Sequence, residues 1–393
     1  MKIGIITHYY GSLNYGGNLQ AYALCRYLNE LGHVAEQISY DKSCDPAFWW
    51  SGKAKQILKT GQRLLVPKRK TTGSHDSDMV AQLIARRNKK ILQFNSDVIP
   101  HTEKVYTAKT ITQANKDFDL FITGSDQVWH PYAVCGAYLL DFVDPALPRA
   151  SYAASLAVEK LTAHQERRYK KSIKKFAAVS VRESQSIEQI QKMTNVKVVQ
   201  TLDPTLLVSA SMWEELCAER QVKEDYVFAF FLGADALPRT RAAEFAKRKS
   251  LKLVTIPYLQ GEERACDRDF GDFQLYDIGP QEFLSLIRYS CYVFTDSFHA
   301  SVFSLLFQKQ FFAFTREDIK GMASRLTSLT EMFEARQRLC DTPEKCLSAY
   351  LINAQEIDYT RPFRQYDEQL DTSKTFIKNI CLGEEYGYPS QEN

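Results

Sequence analysis

Residues 1–41, MKIGIITHYYGSLNYGGNLQAYALCRYLNELGHVAEQISYD, predict the fold class of the chain. A short apolar run at 3–6 leads into a glycine-rich loop, and the next segment has the apolar spacing of a helix that ends at Gly32. The run 33–41 is typical of a second strand. A strand, a helix and a strand in this order predict a βαβ unit, and therefore a parallel sheet with right-handed crossovers.

The same alternation continues along the chain and restarts after Pro204. Strand-like runs followed by turns precede this point, and strands alternating with helices follow it. We therefore predict an α/β fold of two Rossmann-like doubly wound domains that face a central cleft. The predicted hinge lies at 203–215, and the domains are expected at 1–208 and 209–360.

The carboxyl-terminal segment 361–393 carries apolar residues at helical spacing: Leu370, Phe376, Ile377 and Ile380. We expect a helical segment here. In two-domain folds of this kind, such a tail is expected to pack back on the first domain.

The composition is that of an ordinary globular protein, with 45% hydrophobic and 25% charged residues. A net charge of only +3 predicts no nucleic-acid partner and a charged ligand that is held locally. The nine cysteines form no CxxC pair, and no histidine stands at metal-ligand spacing, which predicts reduced cytoplasmic thiols and no metal. The longest apolar stretch, residues 226–234, is too short to cross a membrane.

A basic stretch interrupts the first domain at 49–73. It has two adjacent tryptophans and seven Lys or Arg residues between positions 52 and 70. Two interpretations are open. The stretch is either a solvated loop with a short helix, or a surface that binds anionic lipid, since basic residues beside tryptophan favour a membrane interface.

Ligands of open α/β sheets bind beyond the carboxyl ends of strands, near the helices that follow, and four clusters stand at such positions. The first is GSLNYGGN at 11–18, where Gly16 and Gly17 permit close backbone approach and Asn18 is a candidate helix cap. It lacks the GxGxxG pattern of dinucleotide sites. A tight turn without a ligand and a site for a polar or anionic substrate are both open.

The second cluster is GSDQVWH at 124–130, directly after a strand-like run. Ser125 and Asp126 are either helix caps or part of a functional set. Together with Gln127 and Trp129 they supply the acid, amide and aromatic groups of a sugar-binding site.

The third cluster is SVRES at 180–184. Arg182 at this strand end either holds a carboxylate or phosphate with both sides of its guanidinium, or pairs structurally with Glu183 or another acid.

The fourth cluster lies in FTDSFHASVFSLLF at 294–307, where Asp296 and His299 follow a strand and Ser297 is a candidate cap. A lone histidine is by default a packing residue. Here it stands where the fold binds ligands, and histidine titrates near neutral pH, which suits general acid/base catalysis.

In this order and spacing, GSDQVWH, SVRES, LDPTLL and TDSFHASVFSLLF resemble the polysaccharide pyruvyl transferase family. The likeness extends from the loop and helix GSLNYGGNLQAYAL to SRLTSLTEMF at 324–333, and 49–73 and the last 30 or so residues lie outside it. The resemblance implies a fold similar to the two-Rossmann architecture of GT-B glycosyltransferases.

The resemblance also implies an activity: transfer of the carboxyethylidene group of phosphoenolpyruvate to two hydroxyls of a sugar, which forms a cyclic pyruvate ketal. The implied acceptor is a galactose-like sugar in a cell-envelope or capsular precursor, often lipid-linked, which would give 49–73 a purpose at the inner face of the membrane. Phosphoenolpyruvate is then a co-substrate, and no cofactor is expected. The reaction needs a general acid/base and cations for a carboxylate and a phosphate.

Carried over by position, His299 matches the family's acid/base in its T-D-x-x-H motif, with Asp296 beside it, and Arg182 would hold the donor's anionic groups. Many members have arginine where this chain has Ser297, so the donor set implied here is Arg182, Ser297 and a substitute, Arg325 or Arg288. The implied acceptor-binding residues are Asn14, Gly16, Gly17, Asn18, Gly124, Ser125, Asp126, Gln127 and Trp129.

Two alternatives stay open. A GT-B-type glycosyltransferase that uses a nucleotide sugar would also need a carboxylate and a cationic site for a diphosphate. A non-catalytic partner in envelope assembly is the third class, and the sequence predicts no oligomeric state.

Overall fold

The computed structural model describes residues 1–45, 74–131, 134–258, 264–316 and 320–383, so the basic stretch 49–73 lies outside the described residues. The chain forms two units. Unit 1 draws on Met1–Gln82, Asn95–Pro204 and Thr372–Asn393. Unit 2 draws on Leu83–Phe94 and Thr205–Asp371.

These limits differ from the expected domains 1–208 and 209–360. The chain passes from unit 1 to unit 2 after Pro204, earlier than the expected limit at 208. The segment Leu83–Phe94 lies inside the expected first domain but belongs to unit 2. One long helix, Ser74–Asp97, runs through both units, and Arg87 on it donates to the Pro257 carbonyl of unit 2 (3.5 Å). The spacing of apolar residues reveals such a helix but not the unit on which each turn packs.

Unit 1 contains a parallel sheet with the strand order β2-β1-β3-β4-β5-β6. Its strands are β1 Lys2–Ile6, β2 Val34–Gln37, β3 Leu120–Thr123, β4 Arg149–Ala154, β5 Ala178–Val181 and β6 Val198–Gln200. Its helices are α1 Tyr15–Glu30, α2 Ser74–Asp97 (shared with unit 2), α3 Ala163–Ile173 and α4 Ile187–Gln191. The predicted βαβ opening is confirmed, because β1 pairs in parallel with β2, Ile3 opposite Ala35.

The helix of this opening has clear sequence causes for both of its ends. Asn14 Oδ1 accepts the Gly17 N–H (3.1 Å), which satisfies a backbone donor that α1 itself cannot pair. Gly32, with φ +84°, follows the last turn in the left-handed conformation that glycine adopts at low cost. Between these ends, Leu24 and Leu28 are fully buried. Caps and apolar spacing therefore specify α1 without help from distant residues.

Unit 2 contains a second parallel sheet, with the order β12-β11-β10-β7-β8-β9. Its strands are β7 Tyr226–Phe230, β8 Lys252–Thr255, β9 Phe273–Gln274, β10 Tyr292–Thr295, β11 Gln310–Phe314 and β12 Leu339–Cys340. Its helices are α5 Ala210–Leu216, α6 Ala236–Arg248, α7 Pro280–Arg288, α8 Phe298–Leu306, α9 Lys320–Met332 and α10 Ser348–Asn353. The prediction of two Rossmann-like, doubly wound sheets is confirmed.

Each sheet has one point at which the strand order reverses direction. In unit 1 the chain places β2 on one side of β1 and β3 on the other. In unit 2 it places β8 on one side of β7 and β10 on the other. Connections leave such a point towards opposite faces of the sheet, which opens a crevice at the carboxyl ends of the two strands. The fold therefore locates one candidate site in each unit.

The last helix, α11 Arg364–Leu382, begins in unit 2 and ends in unit 1. Phe376, Ile377 and Ile380 are buried, and the Leu202 N–H donates to Ser373 Oγ (2.9 Å). Although α2 and α11 are long, no helix in the described ranges is apolar enough over a sufficient length to cross a membrane.

Candidate active site

In unit 2 the site is built at the start of α8, immediately after β10. Ser297 Oγ accepts the Ala300 N–H (3.4 Å), so Ser297 is the N-cap of this helix. His299 therefore lies in the first turn of α8, at the carboxyl end of β10, with 9% of its surface exposed. The sequence places the histidine correctly at a strand end. It also identifies Ser297 as the cap, whose oxygen accepts this backbone N–H.

Asp296 makes two backbone contacts that the sequence does not reveal. Both of its carboxylate oxygens accept backbone N–H groups from the loop after β7, from Leu232 (2.6 Å) and Gly233 (2.7 Å). Burial raises the pKa of Asp296, although these two hydrogen bonds act in the opposite direction. Asp296 therefore joins the ends of β7 and β10. Each carboxylate oxygen can accept a second hydrogen bond, so its predicted catalytic role stays a prediction.

Two arginines flank this turn. The Arg325 guanidinium, on α9, lies 5.7 Å from the centre of the Phe298 ring, next to His299 in sequence. Arg316 follows β11 and lies beside Asp296, since a Cβ built on Gly233 would stand 2.9 Å from Asp296 Oδ2 and 3.0 Å from Arg316 Cδ. Sequence reasoning missed Arg316. The sequence could have indicated Arg316, because it follows the strand QFFAF and ligands bind beyond the carboxyl ends of such strands.

Arg288, the other predicted donor residue, lies elsewhere. It is the last residue of α7, which runs back to the edge where β10 begins, opposite the edge that bears His299. There it pairs with Glu214 (2.9 Å). Of the two substitutes proposed for the arginine common at position 297, Arg325 lies near the turn that bears His299 and Arg288 does not. The donor role of Arg325 stays a prediction.

In unit 1, Arg182 is buried among three carboxylates. Its guanidinium lies 2.7 Å from Asp203 Oδ2, 3.3 Å from Glu183 Oε1 and 3.6 Å from Asp126 Oδ1, and its side chain is 4% exposed. Burial alone would lower its pKa, but the three negative charges outweigh burial and raise it.

This environment favours the alternative in which Arg182 pairs structurally with acids over the one in which it holds the donor. A guanidinium that already faces three carboxylates would bring an incoming carboxylate or phosphate close to like charges. Arg182 instead ties together the segments that follow β3, β5 and β6. Within the described ranges, no three His, Cys, Asp or Glu side chains are grouped in a way that suits a metal ion.

The turn after β3 presents Asp126 to the loop before α1. Gly124 has φ +118°, and a Cβ there would stand 2.2 Å from the Tyr152 carbonyl oxygen, so no other residue fits. Asp126 follows with φ +68° and keeps 16% of its side chain exposed. Its Oδ2 lies 3.7 Å from the position of a Cβ on Gly17, so the two glycine loops predicted from sequence meet.

Several predicted acceptor residues are interior instead. Ser125 Oγ donates to the Ala153 carbonyl (2.9 Å), and Trp129 Nε1 donates to the Tyr138 carbonyl (3.2 Å) within the core. Asn18 and Gly16 are buried in the first turn of α1, and the cap is Asn14 rather than Asn18. Side-chain type alone does not tell which residues of a strand-end loop point inward. Those that reach the surface are Asn14, Asp126 and Gln127.

Sequence reasoning also missed His8 and Lys42. His8 stands two residues beyond β1, and its Nε2 lies 3.2 Å from the Gln127 carbonyl oxygen. Burial and the nearby Lys42 charge lower its pKa to about 4, against the opposing effects of Asp126 and the bond to Gln127. Lys42 lies beyond β2, in the 3₁₀ turn Lys42–Cys44. Both residues follow a strand, which is the sequence signal by which they could have been found.

A family model described as polysaccharide pyruvyl transferase matches residues 14–318, more than half of the chain and parts of both units. The matched range contains Asp126, Arg182 and His299. A comparison with curated proteins finds no significant match.

Solved structures extend the likeness over nearly the whole chain. UDP-GlcNAc 2-epimerase from Methanocaldococcus jannaschii aligns with a TM-score of 0.52 at 11% identity, covering 98% of this chain and 100% of that one. UDP-N-acetylglucosamine 2-epimerase from Rickettsia bellii aligns with a TM-score of 0.52 at 9% identity, covering 98% and 96%. At such identities the likeness concerns the fold alone, which is of the GT-B type.

Proposed function

The chain belongs to the polysaccharide pyruvyl transferase family, and from this premise we propose that it transfers the carboxyethylidene group of phosphoenolpyruvate to two hydroxyls of a sugar. The product is a cyclic pyruvate ketal on a cell-envelope or capsular polysaccharide precursor. The observation that carries the proposal is the first turn of α8, where His299 stands at the switch point of the unit 2 sheet. Arg316 lies beside Asp296 and Arg325 beside Phe298, the residues that flank this turn.

The chemistry requires a proton at the donor's methylene carbon. His299 donates it to C3 of phosphoenolpyruvate, which leaves an oxocarbenium-like C2 that the first sugar hydroxyl attacks as it loses its own proton. Loss of phosphate regenerates an electrophilic C2, and the second hydroxyl closes the ring. The proton of one hydroxyl thus ends on C3 and that of the other leaves with phosphate, so no redox change occurs.

The donor carries a carboxylate and a phosphate, and both need cations. Two arginines near the first turn of α8 are Arg325 and Arg316, and we assign the two anionic groups to them. The amino end of α8 adds the partial positive charge of its helix dipole. A charge of this kind also stabilises the negative charge that develops on the departing phosphate.

The test offers phosphoenolpyruvate, or separately UDP- and CMP-sugars, with a galactosyl acceptor, and follows released phosphate or nucleotide. We expect phosphate from phosphoenolpyruvate only in the presence of acceptor, lowered by at least about 100-fold in His299→Ala. The control is His164→Ala, an exposed histidine on α3. Release of UDP or CMP would instead identify a glycosyltransferase, and unchanged phosphate release in His299→Ala would remove His299 from the chemistry.

We further propose that the enzyme works in the cytoplasm at the inner face of the membrane, on a lipid-linked acceptor, with the basic sequence 49–73 as the contact. Flotation with anionic liposomes tests this. Changing Lys53, Lys55, Lys59 and Arg63 to Ser should lower the bound fraction. Equal flotation of this variant and the unchanged protein would contradict it.

A further inference from the structure

Three adjacent strands of unit 1 each end in a polar side chain that the proposed mechanism leaves without a role or only partly explains. Lys42 follows β2, His8 follows β1 and Asp126 follows β3, and these strands lie side by side in that order. The sheet reverses its strand order between β1 and β3. Its ligand crevice is therefore expected where His8 and Asp126 stand.

The hydrogen bonds of His8 define its tautomer. A carbonyl oxygen can only accept, so His8 Nε2, 3.2 Å from the Gln127 oxygen, carries the ring proton. Nδ1 is then a lone-pair acceptor. It is shielded from solvent and has no hydrogen-bond partner among the residues that the structure describes. A buried acceptor without a donor is costly, so it is typical of a place where a ligand supplies the donor.

Lys42 and Asp126 complete the set around this ring. Both charges are close enough to His8 to alter its pKa, Lys42 lowering it and Asp126 raising it. The three side chains carry two acceptors and one cationic donor. Asp126 also lies 3.6 Å from the Arg182 guanidinium, so Lys42 and Asp126 are not the sole charges around the ring. Groups that both donate and accept, as hydroxyls do, match the set.

We propose that His8 Nδ1, Lys42 and Asp126 bind hydroxyl groups of a sugar in unit 1. One hydroxyl donates to Nδ1 and accepts from the Lys42 ammonium, whose four-carbon stem swings outward to admit it. The inference rests on the proposed function, because it assigns the sugar acceptor to these residues. Sugar binding is measurable without phosphoenolpyruvate, so an experiment can contradict the sugar subsite without contradicting the proposed function, and the reverse.

Two substitutions at position 8 separate ligand binding from a structural role. Asn places a polar atom where Nδ1 stands but loses the bond to the Gln127 carbonyl. Gln reaches the position of Nε2 and keeps that bond but supplies no acceptor at Nδ1. A hydroxyl-binding role therefore requires Asn to be the milder change. A purely structural role requires Gln to be the milder one.

The experiment measures saturation-transfer NMR of full-length protein with methyl glycosides of galactose, glucose, mannose and N-acetylglucosamine. Thermal melting verifies that each variant is folded. We expect at least one glycoside to bind, His8→Asn to keep most of the affinity, and His8→Gln to lose about tenfold, the value of one hydrogen bond. No bound glycoside, equal binding by His8→Gln, or a larger loss in His8→Asn would each overturn the inference.

The outcome is separable from that of the proposed function. Glycoside binding that follows the His8 substitutions, without phosphate release from phosphoenolpyruvate, would keep the sugar subsite and reject pyruvyl transfer. Phosphate release that is insensitive to His8→Gln, with glycoside binding also unchanged, would keep pyruvyl transfer and reject the subsite.

Discussion

Arg182 pairs with three carboxylates in the interior of unit 1. We expect its removal to lower the free energy of unfolding more than it lowers the affinity for the donor. Arg182→Met leaves Asp126, Glu183 and Asp203 without their shared cation, and we expect unit 1 to lose about 3–5 kcal/mol of unfolding free energy. Chemical denaturation monitored in unit 1 measures this. Adding Glu183→Gln and Asp203→Asn should restore part of the loss, because two of the stranded charges disappear.

The same variant also separates the two interpretations of Arg182. If the arginine gripped the donor, Arg182→Met would fold with nearly unchanged stability and raise the KM for phosphoenolpyruvate. That result would contradict the structural role.

His8 should make the protein sensitive to acid. Its pKa is lowered from 6.5 to about 4 in the folded state, so between these values the unfolded chain binds more protons. Stability is then complete above about pH 6.5 and falls as the pH drops towards 4, by on the order of 1–3 kcal/mol. His8→Asn lacks the titrating group, and its stability should fall less steeply over this range. Parallel curves for the two proteins, from denaturant titrations at several pH values, would show that His8 is not responsible.

Among the elements, α8 combines two properties at its amino end: Ser297 caps it, and we propose that the donor's anionic groups bind there. Two substitutions at Ser297 distinguish the effect of the cap on stability from the effect of the site on donor binding. Ser297→Ala removes the cap and should cost about 1 kcal/mol of stability with little change in the KM for phosphoenolpyruvate. Ser297→Asp keeps a cap, since aspartate is an equally good N-cap, but adds a negative charge. Repulsion of on the order of 1–4 kcal/mol should raise this KM by at least about tenfold.

Both quantities are measured on the same preparations, by thermal melting and by steady-state phosphate release. An unchanged KM in Ser297→Asp would place the donor's anionic groups away from the amino end of α8.

The elements that the sequence predicts well are those whose causes are local. The apolar run of β1, the Asn14 cap and the glycine after α1 lie within one short stretch, and the strand and helix around His299 are equally continuous. The role of Asp296 could not be read in this way. Its partners, Leu232 and Gly233, stand more than sixty positions earlier, and only the pairing of β7 with β10 brings them together.

The same limit applies to the candidate site of unit 1. Arg182 and Asp126 are individually typical of ligand-binding residues, and the sequence does not show that they neutralise each other. Trp129 is by residue type a candidate for stacking on a sugar, but the structure buries it in the core. Polar groups at strand ends are predictable as a class, whereas their orientation depends on packing between elements that are far apart in sequence.

At the scale of the whole molecule, the chain crosses between its two units more than once, through α2 and again through α11. Through α11, residues more than 160 positions after the last strand of the unit 1 sheet contribute apolar surface to unit 1. Phe376 lies 6.4 Å from the Tyr152 ring, and Ser373 accepts from the backbone of Leu202, after β6. Unit 1 is therefore complete only once the carboxyl-terminal helix has been made.

This dependence predicts a stability change confined to one unit. Phe376→Ala removes a fully buried ring and should cost about 3–5 kcal/mol. Leu382→Ala, at an exposed position of the same helix, should cost less than about 0.5 kcal/mol. In hydrogen exchange, Phe376→Ala should lower protection in β4 and β6 while β7 and β10 keep theirs, since local stability follows the packing that each strand retains. Equal loss of protection in both sheets would mean that α11 stabilises the chain as a whole rather than unit 1.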